Sequence, residues 1–385
     1  MKVKNAPVIS VGVVSGIELA FTLNGDFAAG YTGRIITGRW TARVRNDRVV
    51  LKGDGSGFEM FDKALLIPSD QSACSFVLHA VTIGVDFHWQ RNEDQVFRGS
   101  LKLLTVGGQV TAVNILPVED YLVSVISSEM SATSSVELLK AHAVISRSWL
   151  LAQLDKSARL TKEHKKYEAG RITREEITRW YDREDHKDFD VCADDHCQRY
   201  QGITRASSPS VEKAVRETAG EVLMSEGAIC DARYSKCCGG VTELFENVWE
   251  PVSHPCLQKV IDSPDPQAGP GTDLTIEDNA VKWIDGNPEA FCNTADMRVL
   301  SQVLNKYDQE TNDFFRWKVV YSQSEISKLV KEKTGIDFGS ITEIEPLTRG
   351  TSGRIVRLKI TGDRKTMIIG KELEIRKALS KSHLY

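Results

Sequence analysis

Between residues 8 and 115, apolar and β-branched side chains alternate with polar ones; from Ser134 to Leu154 the chain carries neither proline nor glycine. The two stretches impose different periods and so different elements. Val8–Val14, Arg34–Val50 and Ser75–Phe87 read as strands with one buried face. Gly53-Asp54-Gly55-Ser56-Gly57 and Gly107-Gly108 punctuate them as turns, and Phe97–Leu104 with Val110–Leu116 reads as a hairpin across the second pair. Ser134-Ser135-Val136-Glu137 fits a capping box, which predicts a helix from Ser134 or Ser135 to about Leu154. Strands followed by helices predict an α+β fold: a β-rich N-terminal part, then a mixed α/β core with a charged helical insertion.

A chain of 385 residues accommodates two or three domains. The expected division is a β-rich region over 1–96, a core over 97–262 and an α/β part over 263–385. Residues 155–185 are dense in Lys, Arg, Glu and Asp with few apolar anchors, which predicts a solvated insertion of helical-hairpin type. A short helix is expected over Ser210–Thr218, a loop over 263–272, a strand over Trp317–Tyr321, a helix over Gln323–Lys333, and strands over Ser340–Arg349 and Gly353–Ile360. A net charge of −4 gives no basis for nucleic-acid binding. No run approaches the ~18 apolar residues of a membrane span, and the first residues lack a charged segment followed by an apolar one, as a signal peptide would show.

Two groups of residues carry chemistry. Ser127-Ser128-Glu129-Met130 reads as a loop before the long helix, placing one carboxylate where it can act as a proton donor. Lys140 and Arg147, seven residues apart, share a helix face, with His142 on another. Glu119 and Asp120, after Pro117, read as a helix start. The second group is His186-x5-Cys192-x3-His196-Cys197, a ligand set that suits a tetrahedral Zn²⁺ site if His196 and Cys197 lie in a loop. The same spacing also admits a Cys192–Cys197 disulfide or buried thiols. Four protein ligands would leave no open coordination position, which makes the metal structural. The eight cysteines fall unevenly, seven of them after residue 190, and their closeness to histidine suits metal chemistry better than a disulfide framework.

An ordered series of short motifs resembles the stage II sporulation protein D (SpoIID) and amidase-enhancer family. It runs through Phe97-Arg98-Gly99, Val113-Asn114-Ile115-Leu116-Pro117, Glu119-Asp120-Tyr121-Leu122, Ser128-Glu129-Met130 and Leu139–Val144 with Arg147. It continues through Asp190-Val191-Cys192, His196-Cys197-Gln198, Tyr200-Gln201-Gly202, Ala214–Leu223, Gly239-Gly240 with Thr242-Glu243, Val248-Trp249, Gly353–Leu358 and His383-Leu384-Tyr385. The resemblance implies a peptidoglycan lytic transglycosylase that cleaves the β-1,4 bond between N-acetylmuramic acid and N-acetylglucosamine, on strands without stem peptides. Glu129 would be the single acid and base, and Ser128, Lys140, Arg147, Tyr234 and Glu243 would line the glycan groove. It also implies Zn²⁺ on His186, Cys192, His196 and Cys197. The implied partners are glycan strands and an N-acetylmuramoyl-L-alanine amidase. The implied location is the cell envelope, periplasmic or extracellular, with the signal or anchor outside this chain. The alternative within the same resemblance is a non-catalytic amidase enhancer. Cys237 and Cys238 depart from the family, standing where serine or threonine is usual, and Lys236 replaces a small residue; thiols are poorer hydrogen-bond donors than hydroxyls.

Overall fold

The structure, a computed structural model, describes residues 1–3, 7–30, 32–53, 59–61, 63–84, 90–163, 170–181, 186–194, 196–204, 208–265, 271–304 and 315–381, with backbone alone at 59, 60 and 157–163. The expected turn over 54–57, the end of the strand at Phe87, the central part of the charged insertion, the middle of the 263–272 loop and the His383-Leu384-Tyr385 motif lie outside these residues. The fold is α+β, with its strands concentrated before residue 118. The chain divides into two compact units: Met1–Leu154, Asp185–Met224 and Ser301–Asn305 form the first, and Asp155–Glu184, Ser225–Leu300 and Lys306–Tyr385 the second.

In the first unit the strands are β1 (Val8–Gly16), β2 (Glu18–Ala29), β3 (Arg34–Arg45), β4 (Arg48–Gly53), β5 (Glu59–Phe61), β6 (Ala64–Pro68), β7 (Ser75–Ile83), β8 (Arg91–Phe97), β9 (Ser100–Val106) and β10 (Gln109–Pro117), followed by helices α1 (Val118–Glu129) and α2 (Val136–Glu163). With the short strand Val191–Cys192 they form one sheet in the order Val191–Cys192, β1, β10, β9, β6, β2, β3, β4, β5, with β7 on β2 and β8 on β7. Strands on either side of residue 97 therefore share hydrogen bonds. The β9–β10 hairpin turns at Gly107-Gly108 as expected, with Val106 opposite Gln109. The expected strand Arg34–Val50 is two strands, because Asn46 and Asp47 both take a left-handed conformation and reverse the chain. The twelve-residue β2, missed by the reading above, buries Leu19, Phe21, Leu23, Phe27 and Ala29.

That buried face begins a line of aromatic contacts. Phe27 meets Phe76 edge-on, Phe76 stacks on Phe97, Phe97 touches Tyr200, and Tyr200 stacks on Tyr121 of α1. Each ring is essentially free of solvent, so each contributes about 1.5–3 kcal/mol of burial. The line ties the sheet to α1 and to the loop at 197–201, where the candidate site is built.

In the second unit five strands pair in the order Gly170–Ile172, Glu176–Arg179, Thr366–Gly370, Ile355–Gly362, Ile341–Arg349. Helices Gln323–Thr334 and Glu372–Leu379 supply Val330, Ile375 and Ala378 to a core with Ile177, Phe338, Leu358, Ile360 and Ile369. This corrects the reading of 155–185 as a helical hairpin. α2 continues to Glu163, and Gly170–Ile172 then Glu176–Arg179 form strands, the second parallel to Thr366–Gly370 with Ile177 buried. The β-branched residues Ile172, Ile177 and Thr178 outweighed the local charge density once a sheet edge was there to pair with. Trp317–Tyr321 is not a strand; Trp317, Val319 and Val320 are largely exposed. The helix after it is capped as a box by Ser322 and Glu325.

Candidate active site

α1 begins on Pro117, with Glu119 and Asp120 in its first turn, where carboxylates favour the positive end of the helix dipole. Val118, Tyr121, Leu122, Val125 and Ile126 form its buried stripe. The helix does not stop at the serines. Ser127 Oγ donates to the Val123 carbonyl at 2.9 Å, and both Ser127 and Ser128 are buried. Glu129 is thus the last residue of α1, not part of a loop, and is half-buried. α2 is capped one residue later than the capping box predicts. Ser135 Oγ accepts the Leu138 amide at 3.3 Å, while Ser134 Oγ donates to the Gln302 carbonyl at 2.6 Å.

The Glu129 carboxylate is oriented from outside its helix: its Oε1 accepts the Arg199 amide at 2.8 Å. The loop supplying that amide is laced to the helices on both sides. Tyr121 Oη donates to Gln198 Oε1 at 3.2 Å, Gln198 Nε2 donates to the Ser146 carbonyl at 3.3 Å, and the Gln201 amide donates to Ser124 Oγ at 3.1 Å. Gly202 then packs so closely, at φ +59°, that a Cβ there would lie 2.2 Å from the Val96 carbonyl oxygen.

The preceding turn brings His186, Cys192, His196 and Cys197 together, with one ligand atom of each within 4.8 Å of all the others. Cys192 Sγ lies 3.8 Å from His196 Nδ1, and Cys197 Sγ lies 3.5 Å from His186 Nε2 and 3.4 Å from His196 Nδ1. A tetrahedral Zn²⁺ with Zn–S near 2.3 Å and Zn–N near 2.05 Å requires a sulfur–nitrogen edge of about 3.6 Å. The donor set and its spacing therefore fit that ion. Cys192 and Cys197 are free thiols, not a disulfide. The cluster is anchored to β1: Val191–Cys192 pairs with Val11–Gly12, and Asp190 Oδ2 accepts both the amide and the hydroxyl of Ser10, at 2.8 and 2.6 Å.

The expected ligand-binding residues fare differently. Arg147 is 1% exposed; its Nε and Nη2 donate to Glu119 at 3.0 and 2.6 Å, and Nη1 donates to the Glu221 carbonyl at 3.0 Å. It joins α2 to the first turn of α1 and does not present its charge to solvent. Ser128 is likewise buried and offers no accessible hydroxyl. Lys140 remains at the surface, paired with Glu217 at 2.8 Å and Glu137 at 3.2 Å. The hydrogen bonds it donates to Glu217 and then Glu137 raise its pKa. His142 is buried, as a packing residue should be, and burial pushes its imidazole down to about 4.

Tyr234 and Glu243 belong to the second unit. Tyr234 is exposed. Glu243 is a turn anchor: Oε1 accepts from the Leu244 amide, Asn247 Nδ2 and the Thr351 amide at 2.9–3.1 Å, and Oε2 from the Ser352 hydroxyl and amide at 2.5 and 3.2 Å. In the same unit Cys230 and Cys256 form a disulfide that the cysteine spacing did not reveal. Arg199 and Ser124 also escaped the sequence reading, and Glu119 was read only as part of a helix start, not as the partner of Arg147. An amide donor leaves no side-chain signature, and the other two act through partners far along the chain.

This site defines a protein with one oriented carboxylate beside a Cys/His ligand cluster. Residues 106–224, which contain all of α1 and the loop at 186–202, match the family described as "Stage II sporulation protein" (SpoIID), a cell-wall-related family. Residues 243–385 match a family described only as a domain of unknown function. A stretch of 153 residues is 29% identical to an uncharacterized protein of Brachyspira hyodysenteriae, covering 40% of this chain and 34% of that protein. The match thus spans about a third of the curated relative. Among the described residues no helix is long and apolar enough to cross a membrane.

Proposed function

We propose that the chain is a peptidoglycan lytic transglycosylase acting between N-acetylmuramic acid and N-acetylglucosamine on glycan strands without stem peptides. The observation that carries this reading is Glu129 itself: a half-buried carboxyl closing α1 within a SpoIID-family segment, its rotation set by the Arg199 amide. The reaction needs this carboxyl neutral at the start. The carboxyl gives its proton to the glycosidic oxygen as the bond to the muramic anomeric carbon breaks. The muramic C6 hydroxyl attacks that carbon, closing a 1,6-anhydro ring, and returns its proton to Glu129. No water is consumed and no second carboxylate is needed, unlike in hydrolytic glycosidases.

We assign Zn²⁺ to His186, Cys192, His196 and Cys197. A closed set of four protein ligands supplies structural cross-linking rather than an activated water. Its effect on the reaction would pass through Arg199, two residues beyond Cys197, whose amide aims Glu129. The Cys230–Cys256 disulfide supports a location in an oxidising compartment of the cell envelope.

The second reading is a non-catalytic amidase enhancer that binds glycan or an N-acetylmuramoyl-L-alanine amidase. It is favoured by the engagement of Arg147, Ser128 and Glu243 inside the protein, which leaves Lys140 and Tyr234 as the accessible members of the expected groove. Digestion of glycan strands with and without stem peptides, by the wild type and by Glu129→Gln, separates the two. Products with 1,6-anhydromuramic ends, lost in Glu129→Gln, are expected. Reducing ends would replace the reading with a hydrolase. Intact strands together with stimulation of an added amidase would establish the enhancer.

A further inference from the structure

Three distant segments of the second unit bring a further set of ligand-type side chains together. The Sγ atoms of Cys238 and Cys292 are 3.8 Å apart, and Cys238, Asp262 and Cys292 each offer a ligand atom within 4.8 Å of the other two. The backbone holds the segments in register: the Asp262 amide donates to the Gly240 carbonyl, the Phe291 amide to the Asp262 carbonyl, and the Cys292 amide to Asp262 Oδ2, at 2.9, 2.9 and 3.0 Å.

Two features distinguish this cluster from core thiols. Ordinary buried cysteines pack against apolar groups. Here the three thiols of Cys237, Cys238 and Cys292 are only half-buried, and Cys238 and Cys292 share their space with a carboxylate. The chain also turns its amides toward the sulfurs. Gly239 and Gly240 follow Cys237-Cys238 at φ +72° and +95°, which turns their backbone toward the neighbouring thiols. Successive left-handed glycines form a concavity of N–H donors that stabilises negative charge. Two guanidinium groups complete the surroundings, Arg354 donating to the Cys238 carbonyl at 2.7 Å and Arg316 to the Gly239 carbonyl at 3.2 Å.

We propose that Cys238, Asp262 and Cys292 form a second metal site for a thiophilic divalent cation such as Zn²⁺. The 3.8 Å sulfur–sulfur separation matches the edge of a tetrahedron with metal–sulfur bonds of about 2.3 Å, which is about 3.8 Å. Thiolate donors select a zinc-like ion over Mg²⁺ or Ca²⁺. The ion would clasp the turn at 237–240 to the segments at 262 and 292. This explains chemically why a cysteine stands at 238, where the resemblance leads one to expect a hydroxyl residue: at this position metal binding replaces contact with sugar.

The test is metal analysis of the full chain produced with Zn²⁺. The expected content is about two ions per chain, falling to about one in Cys292→Ser and to about one in His186→Ala, which empties the other cluster separately. Asp262→Asn, a milder change, should retain the far-ultraviolet spectrum while weakening Zn²⁺ about 10-fold or more in competition with a chromophoric chelator. Co²⁺ loaded into His186→Ala should give a sulfur-to-metal charge-transfer band that Cys238→Ser reduces. Unchanged metal content in Cys292→Ser would overturn the proposal. So would loss of all metal in His186→Ala, or a Cys238–Cys292 disulfide in the peptide map of the native protein.

Discussion

If Arg147 is a structural cation, replacing its partner should damage stability before it damages the proposed glycan binding. Its guanidinium is 1% exposed and makes two charge-assisted bonds to Glu119 and one to the Glu221 carbonyl; Glu119 also accepts the Gly220 amide at 3.1 Å. Glu119→Gln leaves a buried cation facing a neutral amide, a change that costs about 3–5 kcal/mol. For a unit of roughly 200 residues each kcal/mol lowers Tm by about 2–4 °C, so a fall of about 6–20 °C is expected. Arg147→Lys keeps the charge but loses the fork and at least one bond to an ionised group, a loss of about 1.5–3 kcal/mol. Arg147→Met removes the cation together with its desolvation cost and leaves Glu119, whose side chain is 25% exposed, to water. Adding Arg147→Met to Glu119→Gln should therefore recover at least about 1 kcal/mol, a non-additivity that a double-mutant cycle reads directly. Urea unfolding gives the free energies, and sedimentation with denuded glycan gives binding. Should Arg147→Met unfold like the wild type yet release glycan, the guanidinium would belong to the ligand and the reasoning would be wrong.

Three further outcomes are expected. His142 is buried with its pKa depressed to about 4, so the folded state resists a proton that the unfolded chain accepts near pH 6.5. Stability from this group is full above pH 6.5 and falls as the pH drops toward 4, by on the order of 3 kcal/mol; a His142→Gln variant whose stability declines just as steeply over that window would count against it. Glu243→Ala removes the acceptor shared by the Thr351 and Ser352 amides. It should cost about 2–4 kcal/mol and speed amide exchange at 351–352, and unchanged protection there would remove the anchoring role. Replacing both Cys230 and Cys256, which are 26 residues apart, by serine should lower stability by about 3 kcal/mol through the freed loop, and an unaltered unfolding midpoint would refute that share.

What the sequence by itself determined is what short spacing encodes. The two-residue period before residue 118, the turn at Gly107-Gly108 and the helix starts after Pro117 and near Ser135 depend on neighbours a few residues apart. So does the dozen-residue His186–Cys197 group, because one loop can fold its own ligands inward. The tertiary structure decided what long-range partners control. It carried α1 through Ser127-Ser128 to Glu129, buried Arg147 against a carboxylate 28 residues away, and drew a charged segment into a sheet with Thr366–Gly370. It also paired Cys230 with Cys256 and gathered Cys238, Asp262 and Cys292 from positions that no local pattern links. A helix or hairpin draws its hydrogen bonds from its own segment, so its sequence announces it. A charge, thiol or carboxylate takes its role from whichever groups share its desolvated space, and only the folded chain determines which those are.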